Sequence, residues 1–163
     1  MIAVLHGNEH SKKEFMSSEV AAVRVNSKTK RCYVCGPENP SGLHVPFFAD
    51  GPHGSRALYT AHVDHAGWPG MLHGGVTFTL LDEALGWAVH FQGLHGVTAR
   101  ADTRFRQPVP IGAKLIIRGW TVAQRHRLMT ARAEIRLDNQ DQTLLAEIDA
   151  TMYLLDADKI NDD

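Results

Sequence analysis

One long apolar segment, Val76 to Phe91, dominates the hydropathy pattern of this chain. It holds only two acidic residues, Asp82 and Glu83, and no Lys or Arg. Its length exceeds that of a strand, and Gly93 follows it, so the pattern predicts a helix from about Gly75 to Gln92. On either side the period falls to two. Leu43–Ala49 and Ser55–Val63 read as paired strands around the turn Asp50-Gly51-Pro52-His53-Gly54, and Asp64 to Leu72 reads as a loop. Val97–Arg106 alternates, with Val97, Ala99, Ala101, Thr103 and Phe105 on one face and Thr98, Arg100, Asp102, Arg104 and Arg106 on the other. Pro108 and Pro110 end it. Lys114–Ala123, Leu128–Leu137 and Leu144–Leu155 read as three further strands with tight connections. One apolar helix between two strands and four more predicts an α+β domain, an antiparallel sheet wrapped around a single long central helix.

That domain spans residues 32–156. Residues 1–31 form a polar, weakly patterned extension with a short helix at most, over Glu14–Val25, and 157–163 is an acidic tail. Cys32 to Gly42 is rich in turn formers.

Composition narrows the function classes. Of 163 residues, 44% are hydrophobic and 21% charged, as in an ordinary globular domain. Lys plus Arg total 17 against 18 acidic residues, a net charge of -1, which argues against a general nucleic-acid partner. No segment approaches the ~20 apolar residues of a membrane span, and the first residues lack the apolar core and cleavage site of a signal peptide. A cytoplasmic protein is the expectation. Two cysteines are too few for a disulfide framework. Cys32-x-x-Cys35 is half of a zinc site, but no second such pair exists and His44 lies nine residues beyond Cys35. It reads as a tight turn, with no metal expected. The ten histidines are scattered, and no HExxH spacing occurs.

The chemistry concentrates at His73-Gly74-Gly75 and Asp82. Two glycines at a helix start expose N–H groups at the positive end of the helix dipole, a place for a developing oxyanion. A carboxylate within an apolar helix is costly unless it is used. Glu83, about 100° further round, reads as structural or solvated. Gly75, Thr79, Asp82 and Gly86 share one stripe, three of them small, so a second helix can approach closely. Gly74 and Asp82 are about 12 Å apart along the helix at ~1.5 Å per residue, too far for one carbonyl to touch both. Two such helices, antiparallel about a two-fold axis, bring the glycine end of one beside the aspartate of the other. The expected assembly is therefore a homodimer or homotetramer.

Three segments, CYVCGPENPSGL, GWPGMLHGGVTFTLLDEA and GVTARADTRFRQPVPIG, make residues 32–155 resemble the hotdog-fold acyl-CoA thioesterases, and more narrowly their PaaI-type branch. The resemblance implies a hotdog fold and hydrolysis of an acyl-CoA to free acid and CoA, with no cofactor. It places the carboxylate, as general base or nucleophile, on Asp82. It places the carbonyl-polarising N–H on Gly74, the motif histidine on His73, and a hydroxyl that helps position water on Thr98. Gly75 joins the substrate contacts, and Arg104 and Arg106, with Arg127 (or Arg125) nearby, are the cations for the CoA phosphates. Some members carry Asn or Gln where this chain has Gly67, so that helper is missing here or the GWPG loop is arranged differently. The alternative is a non-catalytic acyl-CoA-binding or regulatory hotdog protein, against which the intact Asp82 argues. A hydratase would want a different acid–histidine constellation. Trp68, Met71, Phe78 and Trp87 read as core before pocket.

Overall fold

A computed structural model describes residues 30–156, so the helix expected over 14–25 and the tail 157–163 lie outside the described residues. Strands β1 (Phe48–Ala49) and β2 (Gly54–Thr60) come first. A short 3-10 turn (Val63–His65) leads to helix α1 (Gly74–His90). Strands β3 (Gly96–Phe105), β4 (Lys114–Arg125), β5 (Leu128–Leu137) and β6 (Leu144–Leu154) follow. They form one antiparallel sheet in the order β1-β2-β4-β5-β6-β3. This is the expected hotdog arrangement, with the sheet curled around α1.

The helix turns Leu80, Leu81, Ala84, Leu85 and Ala88 fully into the sheet, chiefly over β4. That spacing is one face of a 3.6-residue period. The closest approach falls at Gly119 on β4, where a Cβ would sit 2.4 Å from the Ala84 carbonyl oxygen. Only glycine fits there. The fully buried Ser55 hydroxyl donates to the same oxygen at 2.7 Å, fixing the helix to the sheet at one backbone point. Past the helix, Gly93 takes a φ of +74°, which lets the chain turn back into β3.

Three expectations are corrected. The strand expected over Leu43–Ala49 shrinks to two residues. Leu43, Val45 and Phe47 do alternate inward. However, the Leu43 and Val45 N–H groups bond the Tyr33 and Val34 carbonyls, His44 has a φ of +53°, and Pro46 has no N–H to give. This stretch pairs with the cysteine turn, not with β2. The strand expected over Ser55–Val63 stops at Thr60, because Val63 already belongs to the 3-10 turn. In β3 a bulge between Thr98 and Arg100 shifts the phase of alternation. Thr98, Ala101, Thr103 and Phe105 oppose Met152, Ala150, Ile148 and Ala146, all buried against the helix side. Val97 opposes the exposed Tyr153. The expected faces are thus right from Ala101 onward and exchanged at Val97 and Thr98.

Strand β3 ends the sheet, with no neighbour beyond it among the described residues. Val97 is 49% exposed and Phe105 55%, unusual openness for apolar residues on a strand.

Candidate active site

The glycine end of α1 is built by the loop before it. The His73 N–H donates to the His65 carbonyl at 2.9 Å, and the Leu72 N–H to Val109 at 2.9 Å. His65 is itself fixed by Tyr59, whose hydroxyl lies 2.6 Å from His65 Nδ1. His73 then acts as the helix N-cap, its Nδ1 accepting from the Gly75 N–H at 2.9 Å. An accepting Nδ1 leaves the proton of the neutral ring on Nε2. The Gly75 N–H is therefore committed, and what Gly75 offers a ligand is its lack of a side chain. Gly74, the first helical residue, has an N–H with no partner among the described residues. A side chain at Gly67 would crowd the His73 ring, with a Cβ 3.1 Å from Cδ2, so the imidazole occupies the room a larger residue would need.

The Gly74 end opens onto a cleft of about 730 Å3, lined among others by Trp68, Met71, His73, Phe105 and Arg106. Trp68 is 78% exposed, so Trp68 and Met71 belong to the cleft and not to the core. Phe78 lies on the open side of the helix, whereas Trp87 is buried, as expected.

Asp82 does not line that cleft. It sits on the stripe of Gly75, Thr79 and Gly86, none of which is buried. Thr98 Oγ1 donates to Asp82 Oδ1 at 2.6 Å, across the gap to β3. The bulge makes this contact, since without the phase shift Thr98 would face outward. The Thr79 hydroxyl turns back onto the Gly75 carbonyl at 2.8 Å, so it adds no polar group demanding a partner on this stripe.

Glu83, expected from the sequence to be structural or solvated, is held by side chains on both sides of it. It is structural and not solvated. Trp87 Nε1 donates to Oε1 at 2.9 Å, and Cys32 Sγ lies 3.5 and 3.6 Å from its two oxygens. Burial pushes the Glu83 carboxyl up to about 7. Cys32 is lowered to about 5, first by the hydrogen bond from the Cys35 thiol, with burial opposing, while that bond and burial push Cys35 up. The only sequence signal was the CxxC itself. Its third member lies 51 residues away.

The three arginines expected on the phosphates do not converge within one chain. Arg106 lines the cleft and also pairs with Glu147. Arg104 lies on the outer sheet face, near Asp102 at 3.8 Å and Asp149 at 4.0 Å, and does not line the cleft. Arg127 pairs with Asp156 at 2.8 Å, at the far end of β6. The Arg106 N–H meets the Leu145 carbonyl and the Leu154 N–H meets the Arg127 carbonyl, nine residues on, or roughly 30 Å at ~3.4 Å per residue. None of the helices among the described residues is long and apolar enough to cross a membrane.

Residues 69–144 match the family model of the thioesterase superfamily. Solved structures share the fold. A thioesterase superfamily protein is 24% identical, with a TM-score of 0.71, covering 92% of this chain and 81% of that one. The E. coli PaaI protein from the phenylacetic acid degradation operon is 22% identical, with a TM-score of 0.63, covering 68% and 83%. A Streptococcus mutans protein bound to acetyl CoA is 19% identical, with a TM-score of 0.63, covering 68% and 88%. No curated protein matches the chain.

Proposed function

Because this chain belongs to the thioesterase superfamily, we propose that it hydrolyses an acyl-CoA to the free acid and CoA in a site shared by two copies of itself. One observation carries the reading. The Gly74 N–H, without a partner among the described residues, and the Thr98-oriented Asp82 lie on one helix. They are separated by about 12 Å, so neither can complete the site without a second chain. The open β3 edge and the uncovered stripe of α1 supply surfaces on which two copies can meet. Acetyl CoA bound to a protein of the same fold supports the substrate class.

In this scheme the thioester carbonyl oxygen accepts the Gly74 N–H of one protomer, where the helix dipole favours its growing negative charge. Asp82 of the other protomer acts on the carbonyl carbon, either by taking a proton from attacking water or by attacking directly. Thr98 holds Oδ1 and leaves Oδ2 for that task. CoA leaves as the thiol, and water supplies the acid's new oxygen. Arg106 is placed for the CoA phosphates.

The test is complementation between two inactive chains. Asp82→Asn removes the carboxylate function. Gly74→Pro removes the N–H at the first helical position, where proline is tolerated. The preceding His73 already has ψ 133°, the extended geometry that proline demands of its neighbour. Each homodimer should be nearly inactive. Co-refolded chains should recover about a quarter of wild-type turnover, since half the dimers are mixed and each holds one intact site. If tagged mixed dimers form from folded parents and no turnover returns, the shared site is wrong. Wild-type protein that binds acyl-CoA but releases no thiol would favour the non-catalytic reading.

A further inference from the structure

About 100° round α1 from the Asp82 stripe, the turn 32–36 folds onto the helix and brings together two thiols and one carboxylate. The donor atoms of Cys32, Cys35 and Glu83 all lie within 4.8 Å of one another. Cys35 is buried and Cys32 partly so. Glu83 has no Lys, Arg or His pairing with it among the described residues. A carboxylate taken largely out of water without a cation is costly. From these contacts we propose that Cys32, Cys35 and Glu83 bind one zinc-class divalent metal ion that ties the cysteine turn to helix α1.

The geometry fits such an ion. Donors at the tetrahedral angle, with metal–sulfur bonds of ~2.3 Å and metal–oxygen bonds of ~2.0 Å, lie roughly 3.5 Å apart. Cys32 Sγ is 3.5 Å from Glu83 Oε1. The turn itself is shaped around the first sulfur. The Val34 N–H points to Cys32 Sγ at 3.4 Å, and the Gly36 N–H closes onto the Cys32 carbonyl at 3.0 Å. Gly36 is obligatory, because a Cβ there would lie 2.4 Å from the Cys32 nitrogen, 2.5 Å from its oxygen and 2.6 Å from the Lys30 oxygen. A two-residue spacing between cysteines is that of structural zinc turns. Two soft sulfurs exclude magnesium and calcium, which take oxygen ligands. Cys32 and Glu83 also border a second cleft of about 320 Å3, with Trp87, His90 and His95 on its walls. It gives the ion a path in and leaves room for a water as fourth ligand. Binding releases the thiol protons to solvent as the two sulfurs become thiolates. The site is separate from the acyl-CoA chemistry, and its test does not depend on turnover.

Reduced protein freed of metal with a chelator is titrated with Co2+. The expected result is one equivalent per chain, with near-ultraviolet sulfur-to-cobalt charge-transfer absorption and the intense visible bands of a tetrahedral ion. Zn2+ should displace it, being the stronger binder in the first-row series. Asp82→Asn should give the same titration, whereas Cys32→Ser and Cys35→Ser should each lose the one-equivalent endpoint. Glu83→Gln should keep the charge-transfer absorption and weaken binding at least about tenfold. Reduced wild-type protein showing no charge-transfer absorption at one equivalent overturns the proposal, and that reading needs no variant to fold. A folded double-serine variant with wild-type cobalt affinity overturns it as well.

Discussion

Asp82 and Glu83 are neighbours on α1, yet the molecule treats their carboxylates in opposite ways. The flank bearing Glu83 packs against Trp87 and the cysteine turn, and burial raises that carboxyl to about 7. The flank bearing Asp82 is left open by Gly75, Thr79 and Gly86, and among the described residues only Thr98 reaches across to it. A rotation of about 100° around one helix separates the two. An acidic residue in an apolar helix therefore has no role of its own. What lies opposite that face decides whether it serves packing or an incoming ligand.

The sharpest way to break this contrast is to neutralise each carboxylate in turn. Asp82→Asn should cut kcat for an acyl-CoA by roughly 10²–10⁴-fold, the usual share of a positioned acid–base group. Glu83→Gln should keep kcat within about tenfold. Both are read by release of free thiol. Equal losses in two folded variants would erase the distinction. Next in size is the point where the helix meets the sheet. Gly119→Ala drives a Cβ against backbone and should cost about 1–3 kcal/mol or more, seen as a lowered urea midpoint. A midpoint equal to wild type would mean the helix is free to lift. Thr98→Val then tests the open flank alone. Losing a hydrogen bond to a charged acceptor is worth about 1.5–3 kcal/mol, or roughly ten- to a hundredfold in kcat, and Thr98→Ser should restore it. The smallest effect belongs to Arg106→Ala. It should raise KM several-fold for an acyl-CoA and leave KM for an acyl-N-acetylcysteamine unchanged, whereas Arg104→Ala on the outer face should change neither. Equal shifts on both substrates would remove Arg106 from phosphate binding.

Much of the architecture was legible because it rests on local periodicity. The apolar runs of α1 and of the first half of β4, and the alternation in β5 and β6, each report their own burial. The failures have equally local causes. Pro46 and the left-handed His44 spoil a strand whose apolar pattern is intact. One extra residue at the Thr98–Arg100 bulge reverses two side chains without altering composition. The site was harder. Nothing in the spacing of Asp82 and Thr98 joins them; the resemblance singled out both residues, and the fold supplies the 2.6 Å contact. Glu83 and Cys32 were unreadable as partners, since only the tertiary fold brings residues so far apart in the chain together. Arg104, Arg106 and Arg127 look alike in sequence, but the turn between β4 and β5 holds Arg127 at the opposite end of the sheet.

The bond from Ser55 to the Ala84 carbonyl, beside the contact at Gly119, makes α1 a lever with its fulcrum near the catalytic candidate. Asp82 is two residues from the pivot, ~3 Å along the axis, whereas Gly74 is ten residues away, ~15 Å. A tilt of about 2° would move Gly74 by roughly 0.5 Å and Asp82 by only about 0.1 Å on those arms. Mechanical compliance thus collects at the cleft end, where it is resisted by the hydrogen bonds of the loop from His65 to His73. In the proposed site, ligands of different bulk would be met by adjusting that end, while the carboxylate stays almost where the sheet holds it.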